Sequence, residues 1–245
     1  MERSVIITGA SGGIGQATAR IFASHGWNLI LGYNKNKERA EALAEELREN
    51  FSVRAVVFGG DLSDPCECRR IVAKAIFEFG RADALVANAG IAESRLFTEI
   101  RPEEFRQMVD TNLGGVFFTC QAAAREMIAA GGGSIVTVSS MWGQVGAAME
   151  VAYSTAKAGV IGLTKALSKE LAPSHIRVNC VCPGVIDTEM NHEYSDEVMS
   201  RLAEQTPLMR IGQPEEVAEG IYFLASGASG FTTGQILGVN GGFVI

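Results

Sequence analysis

Short runs of β-branched and other apolar residues alternate along the chain with longer segments in which apolar positions recur at helical spacing. The short runs predict strands at residues 5–8, 28–31, 54–58, 84–87, 134–138, 177–181 and 235–239. The longer segments predict helices at residues 38–49, 65–79, 112–130, 152–171 and 214–224, some preceded by a capping residue such as Asp64. This alternation is typical of parallel strands joined by right-handed helical crossovers.

The pattern therefore predicts an α/β protein with a doubly wound parallel sheet, built as a three-layer α/β/α sandwich. No internal repeat, low-complexity tract or linker rich in Pro, Gly or Ser divides the chain. A chain of 245 residues, 47% hydrophobic and 20% charged, can bury one sizeable core. We expect residues 1–245 to form a single domain.

Net charge and hydropathy limit the classes of partner that this protein can bind. A formal net charge of −7, without a cluster of Lys or Arg, argues against a nucleic-acid surface. No apolar stretch approaches the roughly 18 residues of a membrane helix, and the first apolar run is too short for a signal peptide. We therefore expect a cytoplasmic protein that binds neither nucleic acid nor membrane.

The five cysteines include two Cys-x-Cys pairs, but no His or second pair stands at zinc-ligand spacing beside them, so no metal site is expected. Cys180 and Cys182 lie in an alternating strand segment that places both thiols on one buried face. We interpret them as unreactive core thiols.

The first chemical signal is a glycine-rich turn, Thr8-Gly9-Ala10-Ser11-Gly12-Gly13-Ile14-Gly15, between the first predicted strand and a helix that begins near Ile14. Glycine lets the backbone approach a ligand closely, and a helix N-terminus offers free N–H groups to a pyrophosphate. A tight strand-to-helix turn that binds no ligand would also need small residues, so this alternative explains the same glycines. At this place in a first βα unit, the three glycines favour a dinucleotide site and a Rossmann-type sheet.

The second signal is Tyr153-Ser154-Thr155-Ala156-Lys157, in which Tyr153 and Lys157 share one face of a predicted helix. A nearby cation lowers the pKa of an acidic group, so Lys157 would let Tyr153 act as a general acid or base near neutral pH. Ser140, after the predicted strand 134–138, could donate a hydrogen bond to a substrate oxygen. Such a pair alone is common on helix surfaces, but together these features favour carbonyl chemistry.

These motifs resemble the short-chain dehydrogenase/reductase family, of the compact kind that includes 3-oxoacyl-carrier-protein reductases, over essentially the whole chain. The matching elements are Thr8-Gly9-x-x-x-Gly13-Ile14-Gly15, Asp61-Leu62, Asn88-Ala89-Gly90, Asn112, Ser139-Ser140, Tyr153-x-x-x-Lys157, Pro183-Gly184 and Gly241-Gly242. The resemblance implies a catalytic set of Asn112, Ser140, Tyr153 and Lys157, with Asn112 holding a water that connects Lys157 to solvent. It also implies a homotetramer. Ala87 stands where many members have Asn, a departure we expect to be harmless.

The same resemblance implies a set of cofactor-binding residues. Asp61 and Leu62 would flank the adenine, Ile186 and Thr188 would meet the nicotinamide, and Tyr153 and Lys157 would also contact the cofactor. The remaining members are Gly9, Ser11, Gly13, Ile14, Gly15, Asn88, Ala89, Gly90, Pro183 and Gly184.

Cofactor choice should be set at the end of the second strand, where an acidic residue would hydrogen-bond the ribose 2′-hydroxyl of NAD. No carboxylate precedes Glu38 there, and Asn34 and Lys35 are available for a 2′-phosphate, so NADP(H) is favoured over NAD(H). Against this, Gly12 stands where family members that prefer NADP(H) often carry Arg or Lys. Lys35 and Lys37 also fit a solvated turn.

Candidate substrate-pocket residues are Met141, Trp142, Gln144, Glu150 and His192. Glu150 precedes Tyr153 by one helical turn, and the segment after Gly184 is rich in Asp and Glu, which would suit a cationic substrate group. A helix start and a solvated loop would explain the same residues.

Three functions remain open at this point. The first, implied by the resemblance to a branch of the family with many members, is a 3-oxoacyl-carrier-protein reductase acting on a small or carrier-bound ketone. However, the basic docking residues expected of such a reductase are missing near residues 129–131 and 173–174. The second rests on residues 139–146 and 150–153, which are similar to reductases of an aminopentanone on a lysine of elongation factor P. The third is a non-enzymatic dinucleotide sensor, which would not need Ser140, Tyr153 and Lys157.

Overall fold

The sheet of this protein is parallel throughout, as seen in a computed structural model that describes residues 2–191 and 195–245. Within those residues the strands are β1 (Ser4–Ile7), β2 (Asn28–Tyr33), β3 (Ala55–Gly59), β4 (Ala84–Ala87), β5 (Gly133–Val138), β6 (Ile176–Pro183) and β7 (Ile236–Val239). They are ordered β3-β2-β1-β4-β5-β6-β7 across the sheet. The central strands are hydrophobic and buried, as expected for a sheet that is covered on both faces.

Helices pack on both faces of this sheet. The described residues form α1 (Gly13–Ser24), α2 (Lys37–Asn50), α3 (Pro65–Phe79), α4 (Pro102–Val109), α5 (Gly115–Ala130), α6 (Met141–Val145), α7 (Val151–Leu171), α8 (Asp196–Gln205) and α9 (Pro214–Ala225). Apolar residues of α1, α2 and α9 form one core cluster, and those of α3, α5 and α7 form the other. The predicted three-layer α/β/α sandwich is confirmed.

Local sequence explains where several helices begin and end. At α3, the Asp64 carboxylate accepts a hydrogen bond from the backbone N–H of Cys66 at 2.7 Å, and Pro65 occupies the first helical position. Gly80 ends the same helix with φ of 74°, a left-handed conformation that glycine adopts without strain. The predicted cap and both predicted ends of this helix are confirmed.

The strand order reverses beside β1. The chain moves from β1 outward through β2 to β3, then returns to place β4 on the other side of β1. In such sheets a crevice opens beyond the carboxyl ends of the strands at this reversal, and ligands bind there. The loops that follow β1, β4, β5 and β6 converge on this crevice.

In the part of the chain that the structure describes, three helices were not predicted from the sequence: α4, α6 and α8. In addition, a π-helical turn at Asp110–Gly114 precedes α5, so the helix predicted from residue 112 begins as an ordinary α-helix at Gly115. No helix in the described residues is long and apolar enough to span a membrane.

Candidate active site

The glycine-rich turn forms one wall of the crevice. Gly9 has φ of 65°, and a methyl group there would lie 2.9 Å from the Cα of Ala89, so a side chain would push the turn away from the loop after β4. Gly12 occupies the N-cap of α1 without any side-chain cap, which leaves N–H groups of the first helical turn open to an anion. The turn therefore has the features that a pyrophosphate requires.

Hydrogen bonds hold this turn against the neighbouring loop. The Thr8 hydroxyl oxygen accepts from the backbone N–H groups of Asn88 at 2.9 Å and Ala89 at 3.0 Å. The Asn88 amide donates in turn to the carbonyl oxygens of Thr8 and Gly9. Because both loops are fixed to each other, the groove between them is formed in advance of any ligand.

That groove has a volume of about 720 Å³. The predicted cofactor residues that line it are Gly9, Ser11, Gly13, Ile14, Gly15, Asn34, Lys35, Asp61, Leu62, Asn88, Ala89 and Gly90. Tyr33 and Phe58 also line it, although no motif in the sequence points to them. Its length, from the end of β2 to the loop after β6, suits a dinucleotide, and the residues present fit that group.

A second cavity of about 360 Å³ lies beside the first, past Asn88 and Gly90. Ser140, Tyr153 and Lys157 line it together, although they come from two separate helical segments. Pro183, Gly184, Ile186 and Thr188 line it too, from the loop after β6. The structure thus brings the predicted catalytic side chains and the predicted nicotinamide end of the cofactor site to one place.

Ser140 is held by the start of α6. Its hydroxyl oxygen accepts a hydrogen bond from the backbone N–H of Trp142 at 3.1 Å, as the N-cap of that helix. Since this bond uses a lone pair of the oxygen, the hydroxyl proton is left to point toward a substrate oxygen in the cavity.

Lys157 lies almost completely buried behind Tyr153, on the same face of α7. Its ammonium donates a hydrogen bond to the carbonyl oxygen of Val138 at 2.9 Å and lies 5.6 Å from the centre of the Tyr153 ring. Burial lowers the pKa of Lys157 to about 8. The lysine is therefore placed to act on the tyrosine, and its charge depends on its surroundings near neutral pH.

Asn112 is fully buried in the π-helical turn before α5, a feature often found at functional sites. Its amide oxygen accepts from the backbone N–H of Ile91 at 2.8 Å, and its amide nitrogen donates to the carbonyl of Ile91 at 2.7 Å. A methyl group on Gly90 would lie 3.0 Å from the Asn112 oxygen and 3.4 Å from the Lys157 ammonium. Asn112 and Lys157 thus border the same small space beside Gly90.

The predicted substrate residues are placed differently from one another. Met141, Trp142 and Glu150 line the second cavity, whereas Gln144 is exposed and does not line it. His192 lies outside the described residues. The Glu150 carboxylate is buried in the cavity wall and accepts a hydrogen bond from the Ser94 hydroxyl at 2.8 Å. Ser94 was not predicted, because it follows β4 in a loop without a recognisable motif.

The segment after β6 closes over the glycine-rich turn. A methyl group on Gly13 would lie 2.8 Å from the methyl carbon of Thr188, so only glycine allows this approach. Next to Thr188, Glu189 forms an ion pair with Arg39 of α2 and lines the dinucleotide groove. The covering segment is thereby connected to the α2 side of the groove.

The fold, the dinucleotide groove and the predicted catalytic side chains beside it together indicate a nicotinamide-dinucleotide-dependent oxidoreductase that acts on a ketone or alcohol. A family model described as enoyl-(acyl carrier protein) reductase matches residues 9–244. The chain belongs to the short-chain dehydrogenase/reductase family.

Individual relatives agree with this membership. The 3-oxoacyl-(acyl-carrier-protein) reductase FabG of Chlamydia muridarum is 40% identical over 242 residues, 99% of this chain and 97% of that protein. An uncharacterized oxidoreductase of Bacillus subtilis, YmfI, is 38% identical over 243 residues, 99% of each chain. The crystal structure of a short-chain type dehydrogenase/reductase from Mycobacterium marinum has a TM-score of 0.94 and 36% identity, and covers 99% of this chain and 95% of its own.

Proposed function

We propose that this protein reduces the 3-oxo group of an acyl thioester on a carrier protein to a 3-hydroxyl group, with NADPH as the reductant. The observation that carries the proposal is the single cavity lined by Ser140, Tyr153 and Lys157 beside the dinucleotide groove. The FabG relatives, similar over nearly their whole length, supply the substrate class.

Each side chain has a distinct role in this proposal. A nicotinamide dinucleotide held by the groove would supply the hydride that reduction of a carbonyl carbon requires. The Ser140 hydroxyl donates a hydrogen bond to the carbonyl oxygen as negative charge develops there. The Tyr153 hydroxyl gives its proton to that oxygen, so that hydride and proton together complete the alcohol. The Lys157 ammonium makes Tyr153 a stronger acid, and Asn112 supports proton return along the space beside Gly90.

The choice of NADPH rests on the end of β2. Asn34 and Lys35 both line the dinucleotide groove there, and no carboxylate lies between β2 and Glu38 to bind a free ribose 2′-hydroxyl. A lysine ammonium and an asparagine amide are donors that suit a phosphate.

A second candidate substrate is favoured by Glu150. A buried carboxylate in a substrate cavity attracts a cation, so a ketone that carries an amine would bind there better than an anionic one. The aminopentanone on a lysine of elongation factor P has this chemistry. The hydride and proton steps are the same for both substrates.

One assay separates these proposals. NADPH oxidation by the purified protein is measured with acetoacetyl thioester, with a small ω-amino ketone and with a crotonyl thioester, and each is repeated with NADH. Turnover of the acetoacetyl thioester with NADPH supports the carrier-bound substrate. Preference for the amino ketone, lost at least about 10-fold in kcat/KM in Glu150→Gln, supports the amine-bearing one.

Two controls, the Tyr153→Phe variant and the crotonyl thioester, show which part of the proposed function a negative result contradicts. Tyr153→Phe should reduce turnover of every ketone by roughly 10²-fold or more while NADPH still binds, because only the proton donor is removed. Full activity in Tyr153→Phe would contradict the assigned role. Reduction of crotonyl thioester alone would replace ketone reduction with reduction of a carbon–carbon double bond.

A further inference from the structure

A turn after β7, residues 240–244, packs against the wall of the cavity that holds the proposed catalytic side chains. Phe243 of this turn lies edge-to-face on Trp142, with ring centres 5.4 Å apart and ring planes at 89°. Aromatic pairs favour this arrangement at this separation. Trp142 lines the cavity, whereas Phe243 is not among the described residues that line it. Phe243 therefore supports a wall residue from outside the cavity.

Buried Asn240 gives the turn its shape. Its amide oxygen accepts a hydrogen bond from the backbone N–H of Gly242 at 3.0 Å, and its amide nitrogen donates to the carbonyl oxygen of Val244 at 3.0 Å. The backbone N–H of Phe243 donates to the carbonyl oxygen of Asn240 at 3.1 Å. Because these bonds fix the backbone on both sides of Phe243, its ring is held at a defined place.

The same turn contacts two further segments that border the cavity. A methyl group on Gly184, which lines the cavity, would lie 2.8 Å from the Cα of Asn240. A methyl group on Gly241 would lie 2.5 Å from the methyl carbon of Thr206, the residue after α8, and Leu202 of that helix also lines the cavity. The turn is thus anchored between the loop after β6 and the end of α8.

Trp142 lies next to the group assigned to the substrate carbonyl. Its backbone N–H donates to the Ser140 hydroxyl oxygen at 3.1 Å. The whole cavity has a volume of about 360 Å³, so a shift of one indole ring would change a substantial part of it. In a fitted apolar pocket, one methylene group more or less already changes kcat/KM by roughly 10-fold or more. The position of this indole therefore affects which ketones fit.

We propose that Phe243 is a specificity-determining residue that acts through Trp142. It holds the indole in the cavity wall and so limits the size of the group attached to the substrate carbonyl. This rests on the proposed function, which places a ketone beside Ser140. Phe243 touches neither substrate nor cofactor, so it is a positioning residue. In Phe243→Ala the indole can turn into the vacated space, and the cavity then admits a larger group.

The kinetic test compares a short and a long ketone of one class. The acetoacetyl and 3-oxooctanoyl thioesters of N-acetylcysteamine are used if thioesters are reduced, and a shorter and a longer ω-amino ketone if only those are. In Phe243→Ala, kcat/KM for the long ketone relative to the short one should rise roughly 3- to 10-fold, comparable to the strength of an aromatic contact. Equal losses for both ketones would show a merely structural role and overturn the proposal.

A double-variant cycle tests whether the effect passes through the indole. When Trp142→Ala has removed the indole, Phe243→Ala has no ring to release, so the long-to-short ratio should then change by less than about 2-fold. An equal change in both backgrounds would show that Phe243 acts without Trp142, against the proposal. Phe243→Tyr retains the ring and should keep the wild-type ratio.

The matched control is Phe231→Ala. It is the same substitution at a phenylalanine between α9 and β7 whose side chain is fully exposed. Its removal leaves the cavity wall as it is, so the ratio of the two ketones should stay as in wild type. A rise in Phe231→Ala equal to that in Phe243→Ala would overturn the proposal.

Tryptophan fluorescence gives a readout that needs no substrate. The chain has two tryptophans, so Trp27→Phe leaves Trp142 as the only one. In that background Phe243→Ala should make the emission of Trp142 more accessible to quenching by acrylamide, and Phe243→Leu serves where the alanine variant does not fold. Unchanged quenching in every folded variant that lacks the ring overturns the proposal. Increased quenching in a protein that reduces no ketone would support the hold on Trp142 and contradict the proposed function alone.

Discussion

The proposed chemistry of the site depends on a few side chains. For some of them, the spacing in the sequence already predicts that they lie together. Tyr153 and Lys157 are one helical turn apart, and the structure places both on the cavity with Ser140. By contrast, the contact between Ser94 and Glu150 joins residues 56 positions apart, from a loop and a helix start. Helical spacing predicts the first kind of neighbour, whereas the second depends on how distant segments pack.

Lys35 gives a prediction about cofactor preference. Lys35→Glu should weaken NADPH binding by roughly 10- to 100-fold and leave NADH binding nearly unchanged, because a charge-assisted hydrogen bond to the 2′-phosphate is replaced by repulsion. The measurement is the dissociation constant of each cofactor from fluorescence titration of the purified variant.

Lys37 provides the comparison. It carries the same charge two residues further on, but it pairs with Glu41 at the start of α2 and does not line the groove. Lys37→Glu should therefore change NADPH affinity by less than about 3-fold. Equal losses in the two variants, or equal losses for the two cofactors in Lys35→Glu, would show that the positive charge acts only at long range.

At the scale of elements, the sequence predicted the sheet better than the short helices. The predicted strands agree with β1 to β7 to within one or two residues at each end. Apolar periodicity reveals a helix by its buried face, but α8 buries no side chain and α4 buries only Met108. The five-residue α6 is too short to show any period. These helices were missed because each has too few buried apolar positions to show a helical period.

The packing of α6 on α7 gives a prediction about stability and rate together. A methyl group on Gly143 of α6 would lie 2.7 Å from the Ser139 hydroxyl and 2.8 Å from a backbone carbon of Lys157. Gly143→Ala should destabilise the protein by about 1–3 kcal/mol and lower kcat, because the two helices that carry Ser140 and Lys157 are forced apart. Thermal unfolding and steady-state kinetics measure the two effects.

Gly162→Ala is the control for Gly143→Ala, because it is the same substitution at a site with free space. It lies in the middle of α7, and a methyl group there meets nothing within 4 Å. Gly162→Ala should stabilise the protein by about 0.5–1 kcal/mol without changing kcat. A Gly143→Ala variant as stable and active as Gly162→Ala would show that α6 is free to move away from α7.

At the scale of the whole molecule, we propose the homotetramer that the family resemblance predicted. Phe105 of α4, Phe117 of α5 and Val151 of α7 are exposed apolar side chains on helices that pack together. A contiguous exposed apolar patch marks an interface, and we propose that these side chains belong to one. Light scattering should give about four times the 26.1 kDa of one chain, and Phe117→Asp should reduce that mass.

The matched variant for this prediction is Phe77→Asp. Phe77 is 83% exposed on α3, outside the three helices that carry Phe105, Phe117 and Val151, so its replacement should leave the mass unchanged. A monomeric wild-type protein would contradict the tetramer, and dissociation by Phe77→Asp would place the interface elsewhere.

We expect the pairing of β1 with β4 to determine when activity returns during refolding of the chain. Val5 is in register with Ala84, and the intervening stretch contains β2 and β3 of the same sheet. Contacts between such distant segments form slowly. Since the glycine-rich turn follows β1 and the catalytic segments follow β5 or lie on α7, turnover after dilution from denaturant should return with the slowest phase of refolding, well after most helical signal has recovered.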